Sequence, residues 1–352
     1  MARDLNFGVV GLGMGVHHCK AIVNAKGAAL AAVCDIDEER LKSTVEKFGC
    51  KGYHRYSDLL KDKEIDCVAV VVESGRHADF GIAAAKAGKH LIMEKPVDIT
   101  PARIKKLQGV VKKSGIKAGC IFQYRMDPCN ILLKKAITQK KIGRLIGLHA
   151  ALPWFRADSY YAGEHGTWRG TWKLDGGGSL MNQGIHTVDL MQWLGGPVRS
   201  VCGFFGVFNH KIQAEDQTVA ILKFENGALG TLMTTTCCIP GKDQRVYAYG
   251  TKGSFSRYGG ELESYEAGSE DERKKMLGWF GARKTGEQTS SDPMAVAADG
   301  HQLIIEDLVK AVRGNREPVI PIESAKHAVE IACAIFKSGR MGREVKVREM
   351  RA

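Results

Sequence analysis

Three short stretches place residue types at spacings that can do chemistry. In Gly11-Leu12-Gly13-Met14-Gly15, glycines crowd the junction between an apolar run and a helix-like run. Such a turn lets backbone N–H groups approach a pyrophosphate at a helix N-terminus. Asp35 closes a second apolar run about 20 residues further on, where a carboxylate meets an adenosine ribose. That carboxylate repels a 2′-phosphate, so the expected cofactor is NAD rather than NADP. In the pattern G-x-G-x-x-G the third glycine position is Val16, with Gly15 one place early. A β-branched residue there is expected to hold the helix slightly off the sheet.

The second stretch is Glu94-Lys95-Pro96, where an apolar run ends. Proline restricts the residue before it and so fixes where Lys95 points. A lysine ammonium beside a redox cofactor can donate to, or exchange protons with, a reacting hydroxyl. The plain alternative is a lysine exposed in a turn.

The third stretch runs from Asp175 to Met191. Gly176, Gly177 and Gly178 let the chain pass close to a ligand. Ser179 is a good N-cap for the helix that follows. On that helix Asn182, His186 and Asp189 share one face at i, i+4 and i+7. His186 suits acid–base work near neutral pH, with Asp189 one turn on to orient it. The alternative is a buried histidine bonded to Asp189. No metal is expected, because His186 and Asp189 have no further ligands nearby.

Between Trp154 and Trp172 lie Arg156, Tyr160, Tyr161, Trp168 and Arg169. Flat aromatic faces and guanidinium donors suit a sugar pocket, and loop packing is the competing reading. Ser74-Gly75-Arg76-His77 follows another apolar run, and His77 is expected to reach the cofactor's phosphate or ribose. His301, on the late helix, is expected to pack, with reach into the pocket as the alternative, and His17 and His18 receive no catalytic role.

The elements that must position these residues fall into two regimes. Residues 5–121 alternate strand and helix: Leu5–Val10, Ala29–Cys34, Cys67–Val72, His77–Ala87, His90–Met93, Thr100 to about Lys113, and Lys117–Phe122. This is an α/β doubly wound parallel sheet of the Rossmann type. From about residue 144 strand-like runs follow one another: Leu145–Leu152, Val198–Phe208, Gln217–Phe224, Ala228–Thr236 and Arg245–Gly250. Asn226-Gly227 makes a hairpin turn between two of them. An α+β domain with a large, open, mainly antiparallel sheet is expected, with domains at 1–125 and 126–352. Residues 267–298 read as a long loop, followed by helices near 299–313 and 323–338.

Composition narrows the classes. The chain has 352 residues, 44% hydrophobic and 26% charged, enough for two domains with cores. No apolar run is long enough to span a bilayer, so no membrane partner is expected. The ten cysteines include no C-x-x-C pair, which argues against zinc and fits a reducing cytoplasm. The net charge is +12, but the basic pairs are not interleaved with aromatics, so nucleic acid is a poor partner. An excess of positive charge does suit anionic small molecules.

Taken together, these motifs resemble the Gfo/Idh/MocA family of sugar and cyclitol oxidoreductases, nearly end to end. The likeness runs through the glycine turn, Cys34-Asp35, Ser74-Gly75-Arg76-His77, Glu94-Lys95-Pro96, Phe122-Gln123-Tyr124-Arg125, Gly176-Gly177-Gly178, His186-Thr187-Val188-Asp189 and Gly300-His301-Gln302. The resemblance implies that Lys95 and His186 meet at the reacting carbinol as the catalytic pair. It implies cofactor contacts from Gly11, Gly13, Met14, Gly15, Asp35, Ser74, His77, Glu94, Lys95, Gln123 and Arg125. Substrate contacts are expected from Asn182, Arg169, Tyr161, Trp168 and Arg156. The expected substrate is a sugar or cyclitol, and the expected assembly a homodimer or homotetramer. Many relatives carry aspartate where Asn182 stands, and Val72-Glu73 replaces a threonine–proline pair. Two variants of the activity stay open: glycoside cleavage with retained NAD through transient oxidation at C3, and 3-oxidation of a UDP-linked amino-sugar acid. A non-enzymatic dinucleotide sensor is a third class.

Overall fold

A computed structural model describes residues 3–163, 167–281 and 298–351. The chain forms two units. The first contains β1 (Leu5–Val10), α1 (Leu12–Asn24), β2 (Ala28–Cys34), α2 (Glu38–Phe48), β3 (Lys51–Tyr53), α3 (Tyr56–Lys61), β4 (Cys67–Val70), α4 (His77–Lys86), β5 (His90–Met93), α5 (Pro101–Ser114) and β6 (Ala118–Cys120). Its six strands are all parallel, in the order β3-β2-β1-β4-β5-β6. β4 is buried along its whole length, as a strand covered by helices on both faces must be. The order reverses beside β1, so the carboxyl ends of β1 and β4 border the crevice where this fold takes ligands.

The second unit contains α6 (Pro128–Thr138), β7 (Leu145–Pro153), α7 (Ile185–Gly195), β8 (Val198–Gly206), β9 (Gln217–Phe224), β10 (Leu229–Thr235), β11 (Arg245–Gly250), β12 (Gly253–Tyr258), β13 (Glu261–Glu266) and α8 (Glu270–Phe280). The chain then continues through α9 (Ala298–Arg313), α10 (Ile322–Met341) and β14 (Val345–Lys346). The eight strands are ordered β13-β12-β11-β7-β10-β9-β8-β14. All neighbours are antiparallel except β7 and β10, which run parallel. Burial alternates along β9: Thr218, Ala220, Leu222 and Phe224 are covered, while Val219, Ile221 and Lys223 are exposed. One face of this sheet is therefore built to be packed and the other is open.

Two expectations need correction. The domain boundary is not a single cut at 125/126. The first unit ends at 123 and regains a stretch that ends at 326. The reason is α9, whose apolar stripe packs on α1 and leads to Ile320, whose carbonyl accepts the Cys120 N–H at 3.0 Å. Nor is 267–298 one loop. Ser269 caps α8 by accepting the Glu272 N–H, and Glu270, Asp271 and Glu272 favour the positive end of the helix dipole. Residues 282–297 of that expected loop lie outside the described residues.

Candidate active site

At the first glycine turn, Gly11 has φ +87°, and a Cβ there would sit 2.3 Å from the Val71 carbonyl oxygen. Only glycine fits. α1 then begins without a side-chain cap, and Gly13 has open space around it. Gly15, not Val16, supplies the close approach of helix to sheet: its Cα side faces Val9 Cγ1, 3.1 Å from an added Cβ. The β-branched residue at 16 is half-buried. Asp35 is 7% exposed at the end of β2. It accepts the Leu12 N–H at 2.6 Å and the Asp37 N–H at 2.8 Å, with Arg40 at 3.5 Å. Its carboxylate thus sits against the first turn of α1.

At the exit of β5, Glu94 spreads its two oxygens. Oε2 accepts the Lys95 N–H at 2.6 Å, and Oε1 lies 3.0 Å from His18 Nε2 and 3.7 Å from His301 Nε2. The flanking imidazoles and Lys95 hold this carboxyl well below the usual carboxylate range despite its burial. Lys95 is half-buried, and the Lys95–Pro96 peptide is cis. Ser74 is buried in a short 3₁₀ turn that precedes α4. His77 does not keep a ring nitrogen for a ligand. Nδ1 lies 2.6 Å from the Pro96 carbonyl and Nε2 2.8 Å from the Val72 carbonyl, so the ring ties the ends of two strands together. Glu73 is paired with Arg76 at 3.5 Å.

In the second unit the Gly176–Gly178 turn is filled from within. Glu215 accepts the N–H groups of Gly178 (3.1 Å), Ser179 (3.0 Å) and Leu180 (2.9 Å). A Cβ on Gly178 would stand 2.2 Å from the Glu215 carbonyl oxygen. The glycines therefore admit the chain's own glutamate. Ser179 caps nothing: its Oγ is buried without a hydrogen-bond partner. Burial pushes the Glu215 carboxyl up to about 8, against the opposing pull of three N–H donors. Residues 179–183 form a π-turn before α7, so Asn182, His186 and Asp189 do not share one regular helical face.

Asp189 does not orient His186. It receives Arg125 in a fork, Nε at 2.7 Å and Nη2 at 2.5 Å, with both side chains buried. Arg125, expected at the cofactor, thus gives its Nε and Nη2 to Asp189 inside the second unit. His186 is 7% exposed, with the Tyr124 ring 5.3 Å away.

The aromatic and arginine stretch does assemble. Arg169 lies 4.0 Å over the Tyr160 ring and 5.4 Å from the Trp168 ring, and its buried Nε has no hydrogen-bond partner. Arg156 donates to Gln183 Oε1 at 3.1 Å, and Gln183 donates to Tyr160 Oη at 2.7 Å and to Asn182 Oδ1 at 3.3 Å. Asn182 in turn donates to Asp175 at 2.7 Å. Tyr161 Oη lies 3.0 Å from Thr236 Oγ1. Trp172, by contrast, is a packing anchor against Phe205 and Phe336.

Comparison with known proteins decides the family. Residues 5–122 match the oxidoreductase family with an NAD-binding Rossmann fold, and residues 131–256 match the Gfo/Idh/MocA C-terminal domain. The chain is 30% identical to the WlbA dehydrogenase of Chromobacterium violaceum, solved with NADH and UDP-GlcNAcA, over 98% of this chain and 96% of that one (TM-score 0.86). It belongs to the Gfo/Idh/MocA family of oxidoreductases. This family member is also 28% identical to the WlbA dehydrogenase of Bordetella pertussis over 98% and 99% of the two chains (TM-score 0.85). It is 26% identical to the myo-inositol 2-dehydrogenase of Thermotoga maritima over 98% and 99%.

The protein is a dehydrogenase with NAD as its cofactor, and its first unit fits that group. The first turn of α1 is open at Gly13, Asp35 stands at the end of β2 on the Leu12 N–H, and Gln123 Oε1 is buried with no partner. Among the described residues no helix is long and apolar enough to cross a membrane. Sequence reading missed Glu215, Gln183, His18 and His301 as parts of these clusters. His18 left one signal: with Gly15, Cys19 and Ile22 it lies on the buried stripe of α1, where a histidine needs a partner.

Proposed function

We propose that this dehydrogenase oxidises a secondary alcohol on the ring of a sugar, sugar derivative or cyclitol, or runs the reverse reduction. NAD, when bound, accepts or returns the hydride. His186 takes the hydroxyl proton, and Lys95 donates to the same oxygen and favours its alkoxide character. Gly11, Gly13, Met14, Gly15, Asp35, Ser74 and Gln123 hold the cofactor, while Glu94 and His77 act from behind that cradle. Arg169, Tyr161 and Trp168 position the substrate, backed by Asn182 and Arg156. An amide at 182 orients a hydroxyl but takes no proton, so that work rests on His186.

The observation that carries this reading is the full-length likeness, in both units, to dehydrogenases named for or solved with ring polyols. The 30% likeness to an enzyme solved with UDP-GlcNAcA favours a nucleotide-linked sugar acid as the second candidate substrate. NAD reduction across inositols, hexoses, glycosides and UDP-sugars separates the two. With the best substrate, Lys95→Ala and His186→Ala should each lower kcat by about 10² to 10⁴ while NAD binding survives. Unchanged turnover in either variant removes that residue from the mechanism.

The open face of the eight-stranded sheet carries Phe204, Val219, Ile221, Leu229 and Tyr247, with Phe204 71% exposed and Ile221 55%. Large apolar side chains exposed on this face support a homodimer or homotetramer.

A further inference from the structure

Two histidines and a carboxylate cluster beside the backbone of Lys95. His18 Nε2 and His301 Nε2 face the same oxygen of Glu94, at 3.0 Å and 3.7 Å. The two rings meet edge to face, with centroids 5.2 Å apart. Side-chain exposure is 1% for His18, 12% for Glu94 and 9% for His301. All three ligand-type atoms lie within 4.8 Å of one another, the arrangement a metal ion could use.

The ring chemistry argues against a metal. A metal on His18 Nε2 would require the proton on Nδ1, and a metal-bound histidine donates that N–H to an acceptor. His18 Nδ1 is buried with no hydrogen-bond partner. A metal would leave that N–H a buried donor without an acceptor, whereas a proton on Nε2 leaves a lone pair there instead. With the proton on Nε2, the ring instead makes a charge-assisted bond to Glu94. The other Glu94 oxygen holds the Lys95 N–H at 2.6 Å. A carboxylate braced on one side and bonded to the next backbone N–H on the other fixes the chain at the point where Lys95 leaves it.

We propose that His18 and His301 are positioning residues, which brace Glu94 and through it set the pose of the Lys95 ammonium. The idea rests on the proposed role of Lys95. It explains why two helices distant in sequence, α1 and α9, each spend a buried histidine on one carboxylate. Loss of the brace lets Lys95 shift, and a displacement near 1 Å at a reacting group costs about 10² in rate.

The test is steady-state kinetics of the full chain with NAD and its best polyol, with thermal melting to confirm folding. His18→Leu and His301→Leu should each lower kcat 10- to 100-fold with little change in KM for the polyol. His18→Gln places an amide donor near the position of Nε2 and should restore kcat to within about threefold of the parent. Glu94→Gln removes the anion beside Lys95 and should move the alkaline limb of the kcat/KM profile to lower pH. Should His18→Leu fail to fold, His301→Leu and the contrast of His18→Asn with His18→Gln carry the same comparison. Parental kcat in both leucine variants, while Lys95→Ala is inactive, would overturn the brace and leave the role of Lys95 standing. An active Lys95→Ala would instead remove the reading beneath it. Stoichiometric zinc or manganese in the purified protein, lost in His18→Gln, would also overturn the brace by making the cluster a metal site.

Discussion

The two glycine-rich turns of this chain look alike in sequence and are opposite in the structure. At Gly11–Gly15 the N-cap residue gives no side-chain cap, Asp35 takes the Leu12 N–H alone, and Gly13 faces open space. At Gly176–Gly178 the three N–H groups that an anion would seek are already held by Glu215. The same physics, N–H groups at a turn into a helix, is met by a carboxylate at one N–H in the first unit and at three in the second. Glycines therefore report a close approach without saying what approaches.

Gly178→Ala probes the filled turn with the largest expected effect. Its Cβ would lie 2.2 Å from backbone at Glu215, so unfolding free energy should fall by about 3 kcal/mol. A near-parental denaturant midpoint would mean that the turn is not packed on Glu215.

The next effect is one of pH. The Glu215 carboxyl titrates near 8 in the folded protein, above its usual value of 4.5. The folded state therefore holds a proton that the unfolded state has lost, and the stability Glu215 contributes is full below the unfolded value. It should decline as pH rises toward 8, by at most about 1.4 kcal/mol per pH unit. Denaturant melts at several pH values would show that slope, and a rise in its place would contradict it.

Glu215→Gln should cost about 1–2 kcal/mol at pH 5, because its NH₂ cannot accept an N–H that the carboxyl accepts. It should also flatten the slope just described. A variant that keeps the slope would place its origin elsewhere.

Gly13→Ala tests the open turn by the reverse pattern. The residue is helical with nothing within 4 Å, so stability should hold or rise by up to about 1 kcal/mol. NAD affinity should drop about tenfold or more, measured by titration calorimetry. Parental affinity would show that the cofactor does not come close at Gly13.

The smallest change in stability is expected at the open sheet face. Ile221→Lys should alter unfolding free energy by under about 0.5 kcal/mol. It should nonetheless shift a homo-oligomer toward monomer in sedimentation, and an unmoved oligomer would place the interface elsewhere.

Much of the scaffold was legible because it is written locally. Apolar runs bounded by turn residues marked β1, β5 and β9, and Asn226-Gly227 marked the hairpin between β9 and β10. The parallel pairing of β7 with β10 was not legible, since their residues meet across an intervening helix and two strands. Helix α8 was missed although its acidic start and Ser269 cap were present in sequence. There the polar composition outweighed the capping signal.

By itself, the sequence determined an NAD-type glycine turn with its acid, the change from alternating to consecutive strands, and the lysine and histidine motifs. These follow from turn chemistry and from periodicities of 2 and 3.6 residues, which act over a few neighbours. Only the tertiary structure decided that Asp189 binds Arg125 across 64 residues and that Glu215 fills a turn about 35 residues before it. It alone brought His18 and His301 to Glu94. Buried polar groups must find partners, and which partner each one finds is set by the packing of distant segments rather than by spacing along the chain.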